Sequence, residues 1–123
     1  MARVLIVEDE VQVRVLAEGV IQGLGHKTVT AGDVDEATAL LDSDQQIDLL
    51  FADIRLLGER NGGIAVAKYA REFRPDIRVL YTTGEGVNDG TRALFVEPHH
   101  FIGKPYTVRH LEVAIGNALA KAV

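Results

Sequence analysis

Apolar and polar residues alternate along the chain in blocks that predict strands and helices in turn. Residues 4–7 form a short β-branched apolar run closed by acidic residues, which is typical of a parallel strand covered on both faces. Apolar residues then recur at helical spacing, and Gly25 provides a left-handed stop. Residues 27–31 favour a second strand, and Asp33 with Glu36 predicts a capping box that opens a second helix. The stripe of the first helix consists of Val13, Leu16, Ala17, Val20, Ile21 and Leu24.

The middle of the chain repeats this order. Residues 47–52 predict a third strand that ends in Asp53, and a glycine-containing loop at 57–63 leads to a third helix that runs to about Phe73. Residues 77–82 then predict a fourth strand. Strand and helix therefore alternate three times before the chain reaches its last third.

The last third contains a short strand and a long helix. Residues 101–102 predict the fifth strand. Between residues 84 and 100 we expect only a short helix, because Gly86, Gly90 and Pro98 all weaken one there. The apolar stripe of the final helix consists of Val108, Leu111, Ile115, Ala118, Leu119 and Ala122.

Five strands that alternate with helices predict an α/β fold. The expected architecture is a doubly wound, five-stranded parallel sheet of flavodoxin-like order 2-1-3-4-5 with helices on both faces. A chain of 123 residues, 47% of them hydrophobic, can bury one core, so we expect a single domain over residues 1–123 with no output domain. Ligands in such sheets bind beyond the carboxyl ends of the strands.

Composition removes several classes of function. A formal net charge of −5 with scattered basic residues disfavours a direct contact with nucleic acid or an anionic membrane. The absence of cysteine excludes disulfides, thiolate zinc sites and a cysteine nucleophile. No signal peptide or apolar run of membrane-spanning length is visible, so the cytoplasm is the expected compartment.

Polar residues follow four of the five predicted strands. Glu8 and Asp9 follow the first, Asp53 the third, Thr83 the fourth and Lys104 the fifth. Because the first and third strands are neighbours in the expected order, three carboxylates converge in one crevice and require a counter-ion. Mg²⁺ prefers such oxygen ligands, while a lysine and a hydroxyl are suited to phosphoryl transfer. These residue types fit an aspartyl phosphate at Asp53.

Four segments resemble the receiver domains of two-component response regulators. They are VLIVEDE at 4–10, DLLFAD at 48–53, VLYTTG at 79–84 and FIGKPY at 101–106. The resemblance covers nearly the whole chain, and each segment stands at a strand end in the order of that family. It implies a phosphorelay protein that uses Mg²⁺ and takes a phosphoryl group from a histidine kinase or histidine phosphotransfer protein.

The resemblance also assigns roles to individual residues. It implies that Asp53 is the phosphoacceptor, that Glu8 and Asp9 are the metal-side acids, and that the backbone carbonyl of Arg55 is a metal ligand. Lys104 is similar to the lysine that pairs with the phosphoryl group. On this basis the protein is not an enzyme toward other molecules, and it catalyses only its own phosphorylation and dephosphorylation.

A switch is implied by the same resemblance. Thr83 corresponds to the switch hydroxyl and Phe101 to the switch aromatic, and a cis bond is implied between Lys104 and Pro105. Phosphorylation would draw the Thr83 hydroxyl inward, Phe101 would take the vacated space, and a changed surface would meet an unidentified downstream protein. Phe101 has no hydroxyl, so it cannot signal through a hydrogen bond.

The chain departs from the family pattern in one loop. Most receivers that it resembles carry a proline four residues after the phosphoacceptor, where this chain has Leu57 and then a longer glycine-containing loop. Arg55 and Glu85 occupy positions that influence phosphoryl lifetime in this family. The chain retains all five polar residues at the strand ends, which favours a phosphoacceptor. The altered loop leaves one alternative open, a docking module with a receiver fold that works without phosphorylation.

Other functions fit the sequence less well. A phosphatase of the haloacid-dehalogenase type needs a second aspartate two residues after the nucleophile, where this chain has Arg55. A flavin or nucleotide binder needs a phosphate loop after the first strand, where the acids at 8–10 would repel phosphate. His99 and His100 are adjacent and cannot share one face, so we interpret them as solvated loop residues rather than a metal site.

Overall fold

Strands and helices alternate along the part of the chain that the structure describes, as the hydrophobic pattern predicts. A computed structural model describes residues 1–120. The elements are β1 (Arg3–Val7), α1 (Val11–Gly23), β2 (Lys27–Ala31), α2 (Val34–Leu41), β3 (Leu49–Asp53), α3 (Gly62–Phe73), β4 (Arg78–Thr83), α4 (Asp89–Arg92), β5 (His100–Gly103) and α5 (Val108–Leu119).

The five strands form one parallel sheet in the order β2-β1-β3-β4-β5, which confirms the predicted fold. The register sets Val7 beside Ala52 and Asp53 beside Thr82, so β1, β3 and β4 end at the same edge of the sheet. The residues that directly follow these strands therefore lie at one edge of the sheet. No helix within residues 1–120 is long and apolar enough to cross a membrane.

The core has two layers because successive strand residues point to opposite faces of the sheet. Leu5 and Val7 of β1 pack on the face that α2 and α3 cover, whereas Val4 and Ile6 pack on the face that α1 and α5 cover. All four side chains are at most 1% exposed. Burial of each such side chain contributes about 1.5–3 kcal/mol to stability, so both faces of β1 help to hold the sheet together.

The predicted helix boundaries at residues 25 and 33 have clear physical causes. Gly25 has φ +93°, and its N–H donates to the Gln22 carbonyl at 2.9 Å, which ends α1 in a left-handed turn. Asp33 caps α2 by accepting the Glu36 N–H at 2.8 Å. The Glu36 carboxylate reaches back to the Gly32 N–H at 2.9 Å, one residue earlier than a standard capping box.

Some details of the sequence prediction are wrong or untested. Leu16, in the apolar stripe of α1, is 49% exposed, and Leu24 is also exposed; the fully buried residues of this helix are Ala17 and Ile21. The third and fourth strands begin one or two residues later than predicted. Ala122, assigned to the stripe of the last helix, lies outside the described residues.

The segment between β4 and β5 holds a short helix, as expected. α4 contains four residues, and the Asn88 side chain caps it by accepting the Thr91 N–H at 2.8 Å. After α4, Phe95 is 7% exposed and anchors the segment against the core. The segment therefore consists of a four-residue helix followed by one buried aromatic residue.

Candidate functional site

Three carboxylates meet at the carboxyl edge of the sheet. Glu8 and Asp9 follow β1, and Asp53 is the last residue of β3. Each offers an oxygen, and these three oxygens lie within 4.8 Å of one another. Glu8 is 4% exposed and Asp53 is 6% exposed, while Asp9 lies at the rim. The sequence prediction that these three acids share one crevice agrees with this arrangement.

Lys104 supplies a positive charge to the cluster. Its ammonium nitrogen donates to Glu8 Oε1 at 2.6 Å and to Asp53 Oδ2 at 2.8 Å. The backbone N–H of Lys104 donates to the Thr83 carbonyl at 3.0 Å, which fixes the residue just beyond β5. Burial alone would lower the pKa of Lys104, but the hydrogen bonds to Asp53 and Glu8 outweigh it and raise the pKa.

The two acids that follow β1 have opposite pKa shifts. Burial, together with the Asp53 charge, raises the pKa of Glu8, although Lys104 and the Glu10 N–H oppose this rise. Burial acts in the same direction at Asp9, but hydrogen bonds from the Leu57 N–H and with Glu8 outweigh it and lower the pKa of Asp9. Of these two adjacent residues, Glu8 therefore binds a proton more readily than an ordinary glutamate, and Asp9 less readily than an ordinary aspartate.

The loop between β3 and α3 forms a two-residue hairpin beside Asp9. Leu56 and Glu59 exchange both backbone hydrogen bonds, at 3.0 and 2.8 Å, and Leu57 and Gly58 between them have φ +46° and +82°. The Leu57 N–H donates to Asp9 Oδ2 at 2.9 Å. The departure from the family pattern thus supplies a hydrogen-bond donor to one of the three acids.

Glycine at position 63 is required by a close approach to Asp53. The Gly63 N–H donates to the Ile54 carbonyl at 2.8 Å, which holds the first turn of α3 against the end of β3. A Cβ at Gly63 would overlap the Asp53 carbonyl oxygen. The backbone of the candidate phosphoacceptor therefore depends on the absence of a side chain ten residues later.

Thr83 and Phe101 lie outside the hydrogen-bonded cluster. Thr83 is 6% exposed, and its hydroxyl oxygen accepts the Glu85 N–H at 3.2 Å. Phe101 is 43% exposed, and its ring lies 6.5 Å from that of Phe95, which in turn stacks on buried Tyr81 at 4.4 Å. The switch roles implied for Thr83 and Phe101 stay predictions.

His99 corrects one interpretation of the sequence. Its ring packs edge-on against Tyr81 and Phe95, and its side chain is 21% exposed. Its Nδ1 lies 3.0 Å from the Val96 carbonyl. The prediction that both adjacent histidines are solvated is therefore wrong for His99, because the aromatic cluster of β4 and the α4–β5 segment includes its ring.

The remaining predicted positions lie around the mouth of the crevice. The Arg55 guanidinium and the Glu85 carboxylate form an exposed ion pair between the loops after β3 and β4. The bond between Lys104 and Pro105 is cis, as the resemblance implies. The carbonyl of Arg55 as a metal ligand stays a prediction.

The donor set at this edge fits a hard divalent cation. Glu8, Asp9 and Asp53 carry three carboxylates against the single ammonium of Lys104, so these four groups keep an excess of negative charge when ionised. All three acids offer oxygen ligands, which Mg²⁺ prefers, and the solvated position of Asp9 leaves room for metal-bound water. The residues therefore fit the magnesium that the sequence predicted.

The site also contains groups that sequence reasoning missed. The Leu57 N–H is one, because the sequence shows an unusual residue at this position but not the direction of its backbone donor. Gly63 is another, and its signal was present in the paired glycines at the start of α3. The packing of Phe95 against Tyr81 had no signal beyond two aromatic residues in the sequence.

Comparison with known proteins identifies the class that this fold and site define. A family model described as "Response regulator receiver domain" matches residues 4–116, and the chain belongs to that family. It therefore has the receiver fold of two-component signalling proteins.

The chain is also similar to individual proteins of this family. It is 30% identical over 117 residues to the nitrogen assimilation regulatory protein NtrX of Azorhizobium caulinodans, covering 94% of this chain. The crystal structure of the NtrX receiver domain from Brucella abortus has a TM-score of 0.80 at 32% identity, covering 94% of this chain and 97% of that one. A receiver protein from Sinorhizobium medicae has a TM-score of 0.86 at 24% identity and covers 96% and 94% of the two chains, which supports the fold alone. The chain spans about a quarter, 26%, of the Azorhizobium relative.

Proposed function

We propose that this protein is the phosphoacceptor of a two-component phosphorelay and that Asp53 takes the phosphoryl group. The observation that carries the proposal is the buried Asp53 carboxylate, which Lys104 holds at 2.8 Å beside the oxygens of Glu8 and Asp9. A structural ion pair does not need two further acids within reach. An acid cluster with one lysine instead matches what phosphoryl transfer requires.

The transfer exchanges one bond to phosphorus for another. An Asp53 carboxylate oxygen forms a bond to phosphorus while the bond from phosphorus to a histidine nitrogen of the donor breaks, which leaves an acyl phosphate on Asp53. The Lys104 ammonium, already bound to Asp53 Oδ2, offsets negative charge on the transferred group. The protein therefore acts on its own aspartate, and we propose that it is not an enzyme toward other substrates.

A metal ion completes this proposal. Glu8, Asp9, Asp53 and the carbonyl of Arg55 would hold Mg²⁺, which when bound neutralises charge on the acids and on the phosphoryl oxygens. Without such an ion the buried acids repel one another. Burial is the main reason that the pKa of Glu8 is raised, and the Asp53 charge adds to the rise. We expect Mg²⁺ to be required for phosphorylation.

The proposed donor is a histidine kinase or a histidine phosphotransfer protein. Beside the crevice, α1 exposes Val11, Val15 and Leu16, and α5 exposes Val108. A groove of about 440 Å³ runs between these helices. An apolar, solvent-facing strip next to the acceptor suits a protein donor better than a small molecule.

A change at Asp53 reaches a partner through the loops that surround it. In the proposed switch the Thr83 hydroxyl turns from the Glu85 N–H toward the phosphoryl group. Phe101, on the neighbouring strand, then moves inward and alters a surface that a downstream protein recognises. The cytoplasmic location expected from the composition stays a prediction.

Intact mass spectrometry tests this function directly. Wild-type protein, Asp53→Asn and Asp48→Asn are incubated with acetyl phosphate, with and without Mg²⁺. We expect one phosphoryl group on the wild type and on Asp48→Asn only with Mg²⁺, and none on Asp53→Asn. A wild type that gains no mass under any condition would favour the alternative, a docking module that keeps the fold and works without phosphorylation.

A further inference from the structure

Leu57 has a left-handed backbone conformation, which is unfavourable for leucine. It has φ +46° and is followed by Gly58 with φ +82°, the pair of left-handed residues that a tight hairpin turn requires. Asparagine, aspartate or glycine is favoured at the first of these positions, and a leucine there is disfavoured. Its side chain is 64% exposed, so burial of the leucine does not offset the free energy of the unfavourable conformation.

The flanking residues fix the hairpin in place. Leu56 is 1% exposed and lies against the start of α3, where a Cβ added at Gly62 would lie 3.1 Å from the Leu56 Cβ. Leu56 and Glu59 close the turn with two backbone hydrogen bonds. Because the turn is held from both sides, the direction of the Leu57 N–H is set by the loop and not by solvent.

That N–H points to one of the acids of the candidate site. It donates to Asp9 Oδ2 at 2.9 Å across a separation of 48 residues. Asp9 is the most solvated of the three acids, so its side chain depends most on such a contact for a fixed orientation. Strained backbone retained beside a candidate site is an observation from which a role can be inferred.

We propose that the backbone N–H of Leu57 is a positioning group that orients the Asp9 carboxylate for the metal ion. This inference rests on the proposed function, since it concerns the same Mg²⁺ site. A proline at position 57 would have no N–H to donate, so the role belongs to this loop and its residue type. Outer-shell partners of this kind alter metal affinity by about 10–100-fold, and we expect about tenfold because this bond is exposed to solvent.

A single-atom change tests the proposal. Chemical synthesis replaces Leu57 with its α-hydroxy acid, so that an ester oxygen takes the place of the N–H. This ester also weakens the Leu56 carbonyl as an acceptor. The matched control is the same replacement at Glu59, which removes the hairpin bond to that carbonyl and leaves the donor to Asp9 intact. Isothermal titration with Mg²⁺, without any phosphodonor, gives the Kd of each protein.

We expect the Leu57 ester to bind Mg²⁺ about tenfold more weakly than the wild type, and the Glu59 ester to bind within about twofold of it. The two esters should unfold at similar urea concentrations, since each affects the same hairpin. Equal losses of Mg²⁺ affinity in both esters, or no loss in either, would overturn the proposal and leave the proposed function intact. A wild type that binds no Mg²⁺ would contradict both.

A second measurement needs no metal. Hydrogen exchange of the Leu57 amide, followed by NMR, should become several-fold faster in Asp9→Ala than in the wild type, while the Glu59 amide keeps its rate. Unchanged exchange at Leu57 would mean that Asp9 does not accept this N–H in solution, and it would overturn the inference regardless of the metal result.

Discussion

Two aspartates stand at opposite ends of β3, and their surroundings differ in kind. Asp48 lies just before the strand, where its Oδ2 accepts the Arg3 N–H at 2.9 Å and its Oδ1 accepts the Gln46 side-chain amide at 3.0 Å. Asp53 ends the strand, where Lys104 holds it and the oxygens of Glu8 and Asp9 lie within 4.8 Å. The Asp48 carboxylate accepts hydrogen bonds from neutral donors, whereas the Asp53 carboxylate shares the Lys104 ammonium with Glu8.

The difference separates an acid held by neutral hydrogen-bond donors from an acid in a charged cluster. Hydrogen bonds to Asp48 outweigh the effect of its burial and lower its pKa, so ionisation stabilises the folded chain there. At the other end of β3, burial raises the pKa of Glu8, and Glu8 and Asp53 share the ammonium of Lys104. Burial of an acid alone therefore identifies no function, whereas several acids around one lysine define a candidate site.

The largest expected effect is the removal of the lysine. Lys104→Met should lose about 4 kcal/mol of unfolding free energy at pH 7 without Mg²⁺, because it leaves Glu8 and Asp53 buried without a counter-charge. Urea unfolding measures this loss. Lys27→Met, at an exposed position on β2, is the matched control and should change stability by less than about 0.5 kcal/mol.

The loss in Lys104→Met should depend on pH in a definite direction. The pKa of Glu8 is already raised in the folded protein, and removal of Lys104 raises it further. A raised pKa means that the folded state takes up protons first as the pH falls, so the deficit shrinks toward the ordinary Glu value of 4.5 and is largest at neutral pH. A deficit of constant size across this range would show that lost packing, and not charge, is its cause.

A smaller effect is expected where the backbone of Asp53 meets α3. Gly63→Ala should cost about 2 kcal/mol and slow phosphorylation, since the new Cβ can fit only if the Asp53 carbonyl moves. Gly116→Ala in α5 is the control, because an added Cβ there meets nothing within 4 Å and helical alanine stabilises by about 0.5–1 kcal/mol. Urea unfolding and the rate of mass gain with acetyl phosphate give both numbers. Equal stability changes in the two variants would contradict the close approach.

The sequence was sufficient for the fold and for the acid cluster, for one reason. Strand ends in a parallel sheet are set by hydrophobic runs, so the residue that follows each run is known without coordinates. Glu8, Asp53 and Lys104 were placed in this way, and the sheet order followed from the alternation of strands and helices.

Features that depend on backbone direction or on a particular packing partner were not predictable. The bond from the Leu57 N–H to Asp9 requires a left-handed leucine, which no propensity favours. The ring of His99 is covered by Phe95, four residues earlier, and by Tyr81, which lies 18 residues away on β4. Leu16 fits the apolar period of α1, yet it is 49% exposed, so periodicity alone does not tell which residues of the stripe are covered.

The smallest expected effect lies at the structural end of β3 and completes the comparison. Asp48→Asn should lose only about 0.5 kcal/mol at pH 7, since the half-buried amide oxygen can still accept one hydrogen bond. The lowered pKa of Asp48 gives stability that is present above its ordinary value of 3.8 and is lost as the pH falls through the folded-state value, the opposite of Glu8. Urea midpoints between about pH 3 and 7 should therefore converge for Asp48→Asn and the wild type at the acidic end, while Mg²⁺-dependent phosphorylation stays at the wild-type rate. If Asp48→Asn slowed phosphorylation as well, the two ends of the strand would be coupled, and the separation of structural from reactive acid would fail.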